Sequence, residues 1–166
     1  NAEDLIRSII DGIRTFKDEL ISPETLKKYL DKMESEELTE EKRDLINRLS
    51  DLHRVYVKYQ EFWEAKSVID FNDIIVETIN LLKTKPLIQQ KLQNKYKHIL
   101  VDEFQDNNYA QLEIVKLISN GVNVTAVGDD DQSIFRFQGA YMKNFSDFEK
   151  HFKNTKIINL DQNYRS

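Results

Sequence analysis

The sequence predicts an α/β fold: parallel strands alternating with helices in its second part, joined to a helical subdomain in its first. Three observations carry this. Two short apolar runs, Ile99-Leu100-Val101 and Val122-Asn123-Val124-Thr125-Ala126-Val127, each end abruptly in carboxylates, Asp102-Glu103 and Asp129-Asp130-Asp131. A segment of helical period lies between them, which makes a βαβ unit, and such units are parallel with a right-handed crossover. Before residue 95, by contrast, apolar residues recur almost throughout at helical spacing.

In chain order, Leu5, Ile9, Ile13, Phe16 and Leu20 mark the first helix. Gly12 weakens it by about 1 kcal/mol relative to Ala. Ser22-Pro23 restarts the chain, with Ser as N-cap and Pro at the first helical position. Glu34-Ser35-Glu36-Glu37 reads as an exposed turn. Thr39 caps the next helix, with Glu40 and Glu41 in the first turn, where the helix dipole favours negative charge. Leu45, Leu49, Leu52, Tyr56, Tyr59 and Trp63 mark one face of it. Over 40–65 it would be about 39 Å long at ~1.5 Å per residue. His53 and these aromatics could be drawn as a stacking stripe for nucleic acid, but at this spacing they read as core. Asp70 caps a further helix whose Ile74, Ile75, Thr78, Ile79 and Leu82 face inward. Lys85-Pro86 ends it and opens a short helix to about Asn94. The seam falls near Val68, giving units 1–67 and 68–166.

In the second unit Ile99–Val101 reads as a strand buried on both faces, as a parallel sheet requires. A helix follows over about 107–119, with Leu112, Val115, Leu117 and Ile118 inward and Gly121 as C-cap. The second strand, 122–127, runs into Gly128-Asp129-Asp130-Asp131-Gln132-Ser133. A third strand is expected over Lys156-Ile157-Ile158-Asn159-Leu160. Parallel pairing opens both acidic loops on the same sheet edge, and so brings Gln132 toward Glu103. Ligands of such sheets bind at the carboxyl ends of the strands.

The 166 residues suit one domain with a small subdomain, and the net charge of −5 argues against a globally basic nucleic-acid binder. The distribution says more. Residues 91–166 hold 10 Lys/Arg and 10 Asp/Glu, six of the acids being Asp102, Glu103, Asp106, Asp129, Asp130 and Asp131. An acidic cluster in a basic surround fits a metal–phosphate site beside a polyanion groove. The other reading is a chance sprinkling over a solvated surface. With no cysteine there is no disulfide frame or thiolate metal site. The three His are not paired at ligand spacing. No apolar run approaches the roughly 20 residues of a membrane span, and the acidic start is unlike a signal peptide. A cytoplasmic protein without membrane partners is expected, and the ends suggest a piece of a longer chain.

An acidic pair closing a buried strand is the Walker B pattern of P-loop NTPases, in which Asp holds Mg²⁺ through water and the next carboxylate orients the attacking water. A strand running into an acidic surface loop is the alternative. Ser133-Ile134-Phe135-Arg136-Phe137-Gln138-Gly139-Ala140 alternates aromatics around an Arg. It is either a platform for bases, at roughly 1–3 kcal/mol per stacked base, or two Phe anchoring the loop to the core. Residue types alone slightly favour the anchor.

Taken together, these stretches resemble the UvrD/Rep-type superfamily 1 DNA helicases. Ile99–Asp106 resembles their motif II, Val127–Ala140 their motif III, and Leu160-Asp161-Gln162-Asn163-Tyr164-Arg165-Ser166 their motif IV. Asp70-Phe71-Asn72-Asp73 is similar to their acidic-aromatic motif upstream of Walker B, and the helical first part to the helical insert of their first motor domain. The resemblance implies a partial RecA-like P-loop NTPase domain and ATP-driven movement on single-stranded DNA with duplex unwinding. It implies that Asp102 binds Mg²⁺ and Glu103 activates the hydrolytic water. It further implies that Gln132 contacts the γ-phosphate and couples it to DNA, and that Arg165 is a γ-phosphate arginine. Phe135 and Phe137 would lie at the single-stranded DNA channel.

Three departures accompany the resemblance. No Gly-x-x-x-x-Gly-Lys-Ser/Thr occurs in the 166 residues, so the Walker A loop is expected from elsewhere in the same protein. The second motor domain is expected from there too. Phe137-Gln138 stands where the family usually has Trp-Arg, which keeps a stacking face and removes a charge. A helicase–nuclease motor of the recombination type and a non-catalytic DNA-binding or interaction module remain as alternatives. The acidic pair, Gln132 and Arg165 favour an excised motor fragment, inert alone.

Overall fold

The computed structural model describes residues 1–35, 39–119, 123–129, 144–160 and 162. Five helices come first: α1 (Ala2–Asp18), α2 (Pro23–Glu34), α3 (Glu40–Lys66), α4 (Phe71–Thr84) and α5 (Pro86–Lys95). Then follow β1 (His98–Val101), a 3-10 turn (Phe104–Asp106), α6 (Tyr109–Ile118), β2 (Asn123–Ala126) and α7 (Asn144–His151).

The caps sit where the sequence puts them. The side chains of Ser22, Thr39 and Asp70 accept from the backbone N–H groups of Thr25, Lys42 and Asp73. Asn1 and Asn108 add capping boxes at α1 and α6. Two cores form. Leu26, Leu30 and Ile46 are buried with Phe16, Ile21, Met33 and Leu49 packed against them. Phe104, Leu112 and Phe148 are buried beneath the sheet, against Val101, Val124, Ala126, Phe145 and Phe152. Gly12 is where α1 approaches α3, since a Cβ there would come within 2.9 Å of Leu52 Cδ2. The backbone cost of a helical Gly is offset by that close packing.

β1 and β2 pair in parallel, Ile99 opposite Val124 and Val101 opposite Ala126. Both acidic loops therefore leave one edge, as the topology predicts. The sheet is not buried on both faces, however. Its residues alternate exposed and half-buried, and Leu100 is 78% exposed. Among the described residues α6 and α7 supply the cover for one face and nothing covers the other. The expected third strand is not formed: 156–160 carries no strand assignment, with Ile158 69% and Leu160 85% exposed. An apolar pattern marks residues suited to a sheet, whereas a strand also needs a neighbour for its N–H and C=O groups. No described strand lies beside this one.

One helix face shifts by a residue, and two are shorter at their starts than read. Ile46, not Leu45, is the buried start of the α3 stripe. Leu5 and Ile74 are exposed, whereas Ile13 and Ile79 carry the burial of their helices. Of the α3 aromatics read as core, Tyr56 is buried, stacks on Phe16, and its hydroxyl donates to the Ile21 carbonyl, whereas Tyr59 and Trp63 are half-buried.

Candidate functional site

The ladder continues past both strands into the acidic loops. The Val127 N–H donates to the Val101 carbonyl (2.8 Å), and the Phe104 N–H to the Val127 carbonyl (2.9 Å). Between these bonds lie Asp102 and Glu103, both exposed. The chain turns there because Phe104, wholly buried, is drawn into the aromatic cluster. Its ring meets Phe145 and Phe148 edge-on at 5.0 and 5.3 Å. To make the turn Glu103 takes φ 46°, ψ 46°, the left-handed region. For a residue with a Cβ this costs on the order of 1–3 kcal/mol and persists only where the surroundings hold it.

Those surroundings are specific. The Glu103 N–H donates to Asp102 Oδ1 (3.0 Å), and the Glu103 carbonyl accepts from the Asp106 N–H (2.9 Å). Asn107 Nδ2 donates to the Phe104 carbonyl (3.2 Å). Gln105, 7% exposed, donates from Nε2 to Glu103 Oε2 (2.7 Å) and accepts at Oε1 from the Asp129 N–H (3.1 Å). Asp102, Glu103 and Asp129 thus share one edge of the sheet. An exposed carboxylate or two beside water is the donor set Mg²⁺ accepts, since it keeps most of its hydration. Asp102 fits as that ligand. Among the described residues no group of three His, Cys, Asp or Glu forms a metal cage.

A second polar constellation joins the helices to this loop. Lys17, 5% exposed, lies 2.6 Å from Asp70 Oδ2 and 2.6 Å from Asp73 Oδ1. The Tyr59 hydroxyl donates to Asp70 Oδ2 (2.8 Å). Burial alone would raise the Asp70 carboxyl, but Lys17, the Asp73 N–H and Tyr59 together hold it below its ordinary value. Burial and the bond to Asp70 push Tyr59 up to about 12. Asp18 Oδ1 accepts from both Asn72 Nδ2 (2.8 Å) and Asn108 Nδ2 (2.7 Å). Burial raises the Asp18 carboxyl despite the bond from Asn72. The polar residues of the Asp70–Asp73 motif therefore pair within the protein.

Of the sequence-derived site residues, Asp102 and Glu103 stand together at the sheet edge. Gln132, Phe135, Phe137 and Arg165 lie outside the described residues. Missed from the sequence were Gln105, Lys17, Asp18 and Asn108. Lys17 carried a usable signal: it stands between Ile13 and Leu20 on the apolar face of α1.

The profile of the UvrD/REP helicase N-terminal domain matches residues 1–153. The chain belongs to the UvrD/REP helicase family. It is 37% identical over 168 residues to the ATP-dependent DNA helicase UvrD1 of Mycobacterium tuberculosis, covering 96% of this chain and 20% of that protein. It is 37% identical over 165 residues to the ATP-dependent DNA helicase PcrA of Bacillus subtilis, with the same coverage. Against DNA helicase II of Haemophilus influenzae the identity is 36% over 93% of this chain. The chain spans about a fifth of the length of these relatives. No helix of the described residues is long and apolar enough to cross a membrane.

Proposed function

We propose that this chain is part of the first, RecA-like motor domain of an ATP-dependent DNA helicase that moves on single-stranded DNA and unwinds duplex. In this reading residues 1–67 are the helical insert and 68–166 part of the motor. The Walker A loop and the second motor domain come from the rest of the same, cytoplasmic protein. The observation that carries the reading is the sheet edge: two parallel strands deliver Asp102, Glu103 and Asp129 to one side, with Glu103 held in a left-handed turn.

Water attacks the γ-phosphorus of ATP as the bond to the bridging oxygen breaks, and Glu103 orients that water and takes up its proton. Asp102 would hold Mg²⁺, which when bound would supply positive charge to the phosphates. Gln132 contacts the γ-phosphate and Arg165 meets its developing charge, while Phe135 and Phe137 stack on single-stranded DNA. The relatives' names, each an ATP-dependent DNA helicase or DNA helicase, support the activity class.

The test is Glu103→Gln in the whole protein. DNA-stimulated hydrolysis is expected to fall by roughly 10²–10⁴-fold, the usual contribution of a positioned general base. ATP affinity is expected to stay within about threefold, because no metal-bound charge is removed. Turnover near the parent's would refute the role of Glu103 and favour a non-catalytic module.

A further inference from the structure

Gln105 stands between the two acidic loops with both ends of its carboxamide engaged. A carboxylate only accepts and a backbone N–H only donates. With Glu103 Oε2 on one side and the Asp129 N–H on the other, the amide has a single satisfied orientation. Burial at 7% exposure keeps water from competing for either bond. The residue next to Asp129 leaves room for the amide: a Cβ on Gly128 would collide with Gln105 Oε1 and lie 3.0 Å from the Phe104 nitrogen. Gln105 and Asp129, 24 positions apart, are thus tied into one local unit at the sheet edge, by a side chain rather than by the ladder alone.

We propose that Gln105 is a positioning residue for ATP hydrolysis, which fixes the Glu103 carboxylate and ties it to the backbone at Gly128–Asp129. The proposal rests on the reading of Glu103 as general base. By donating to Oε2, Gln105 fixes the carboxylate's direction and leaves Oε1 for the attacking water. By accepting from Asp129, it makes that direction depend on the backbone at Gly128–Asp129. A shift of that backbone turns the base toward or away from the water without touching the nucleotide. Gln105 therefore acts on turnover and leaves ATP binding alone.

Two variants in the whole protein separate this from a packing role. Gln105→Met keeps most of the buried volume and loses both bonds. Gln105→Glu keeps an acceptor for the Asp129 N–H and replaces the donor to Glu103 with a repelling oxygen. Both are expected to lower kcat by about 10–100-fold, the loss usual when a hydrogen-bond partner of a site ligand is removed. KM for ATP should stay within about twofold, with rates normalised to folded fraction from circular dichroism. For Gln105→Glu the deficit should shrink as pH falls, because the introduced carboxyl donates to Glu103 once protonated; Gln105→Met should show no such recovery.

In a Glu103→Gln background, Gln105→Met should cost no further turnover, since groups acting as a unit are not additive. Three results would overturn the proposal: kcat within threefold of the parent in both variants, KM rising in step with the fall in kcat, or full additivity with Glu103→Gln. If Glu103→Gln itself leaves turnover intact, the general-base reading fails and this proposal with it. If Glu103→Gln is inactive while both Gln105 variants are normal, only the positioning role fails.

Discussion

Lys17→Met should destabilise the chain strongly and reverse its acid response. Lys17 is the buried counter-ion of two carboxylates, 2.6 Å from each of Asp70 and Asp73, and its ammonium stands 5.0 Å from the centre of the Tyr59 ring. Met keeps the length of the stem and removes the charge. Asp70 and Asp73 are then left facing each other with only Tyr59 and each other's backbone N–H groups as donors. Removing one partner of a buried pair costs roughly 3–5 kcal/mol. The two carboxylates keep 19% and 21% exposure, so water takes part of the load and the lower end, about 3 kcal/mol, applies. With a urea slope of about 2 kcal/mol/M that lowers the midpoint by about 1.5 M. In the parent, Asp70 titrates below its ordinary 3.8 when folded. Its contribution is therefore complete above 3.8 and is lost as pH falls through the folded value. Without Lys17, burial, the largest influence on Asp70, loses its main opponent, so the penalty grows as pH rises from 3.8 toward neutrality. Urea midpoints by circular dichroism across this range read both effects. A deficit under about 1 kcal/mol, or one that does not shrink on acidification, would refute the reasoning, as would failure of Asp70→Asn to recover stability in the Lys17→Met background.

Asp18→Asn and Asp18→Ala should part company in melting temperature at neutral pH. Burial raises the Asp18 carboxyl, so its charge costs stability as pH climbs above 3.8. Asn removes that cost and keeps an acceptor for Asn72 and Asn108; Ala strands both amides at roughly 1–3 kcal/mol. Equal melting temperatures would show that the two bonds carry no weight. Phe104→Ala should lose about 3–5 kcal/mol, the usual cost of emptying a buried Phe site. In urea denaturation, a loss under 1 kcal/mol would mean that the turn after Glu103 is not anchored by this ring.

What could be read from the sequence was local or periodic. Ser22-Pro23, Thr39 and Asp70 cap helices through their own side chains, a relation contained within four residues. Parallel pairing followed from one strand–helix–strand repeat. The long-range relations were not legible. Lys17 reaches Asp70 across 53 residues, and only the crossing of α1 with α4 makes it a buried ion rather than a surface lysine. Gln105 meets the Asp129 N–H because the register of Val101 with Ala126 sets where β2 ends. Leu100, Ile157, Ile158 and Leu160 have the composition of a sheet interior, yet all are exposed, since composition does not specify what covers a face.

The loop after β1 is fixed from three directions by three nearly consecutive amides. Gln105 holds Glu103 to the end of β2, Asn107 closes the 3-10 turn on itself, and Asn108 both caps α6 and donates to Asp18 of α1. Asp18 in turn accepts from Asn72, inside the segment whose Asp70 and Asp73 hold Lys17. A displacement of α1 against α4 therefore loads Asn108 directly, two residues from the turn that keeps Glu103 in a left-handed conformation. Such a conformation survives only while its neighbours over-determine it. The polar joint among α1, α4 and α6 is part of what holds the carboxylate edge in shape. That explains why an acidic motif ending 25 residues before β1 spends its carboxylates on a buried lysine and a helix cap.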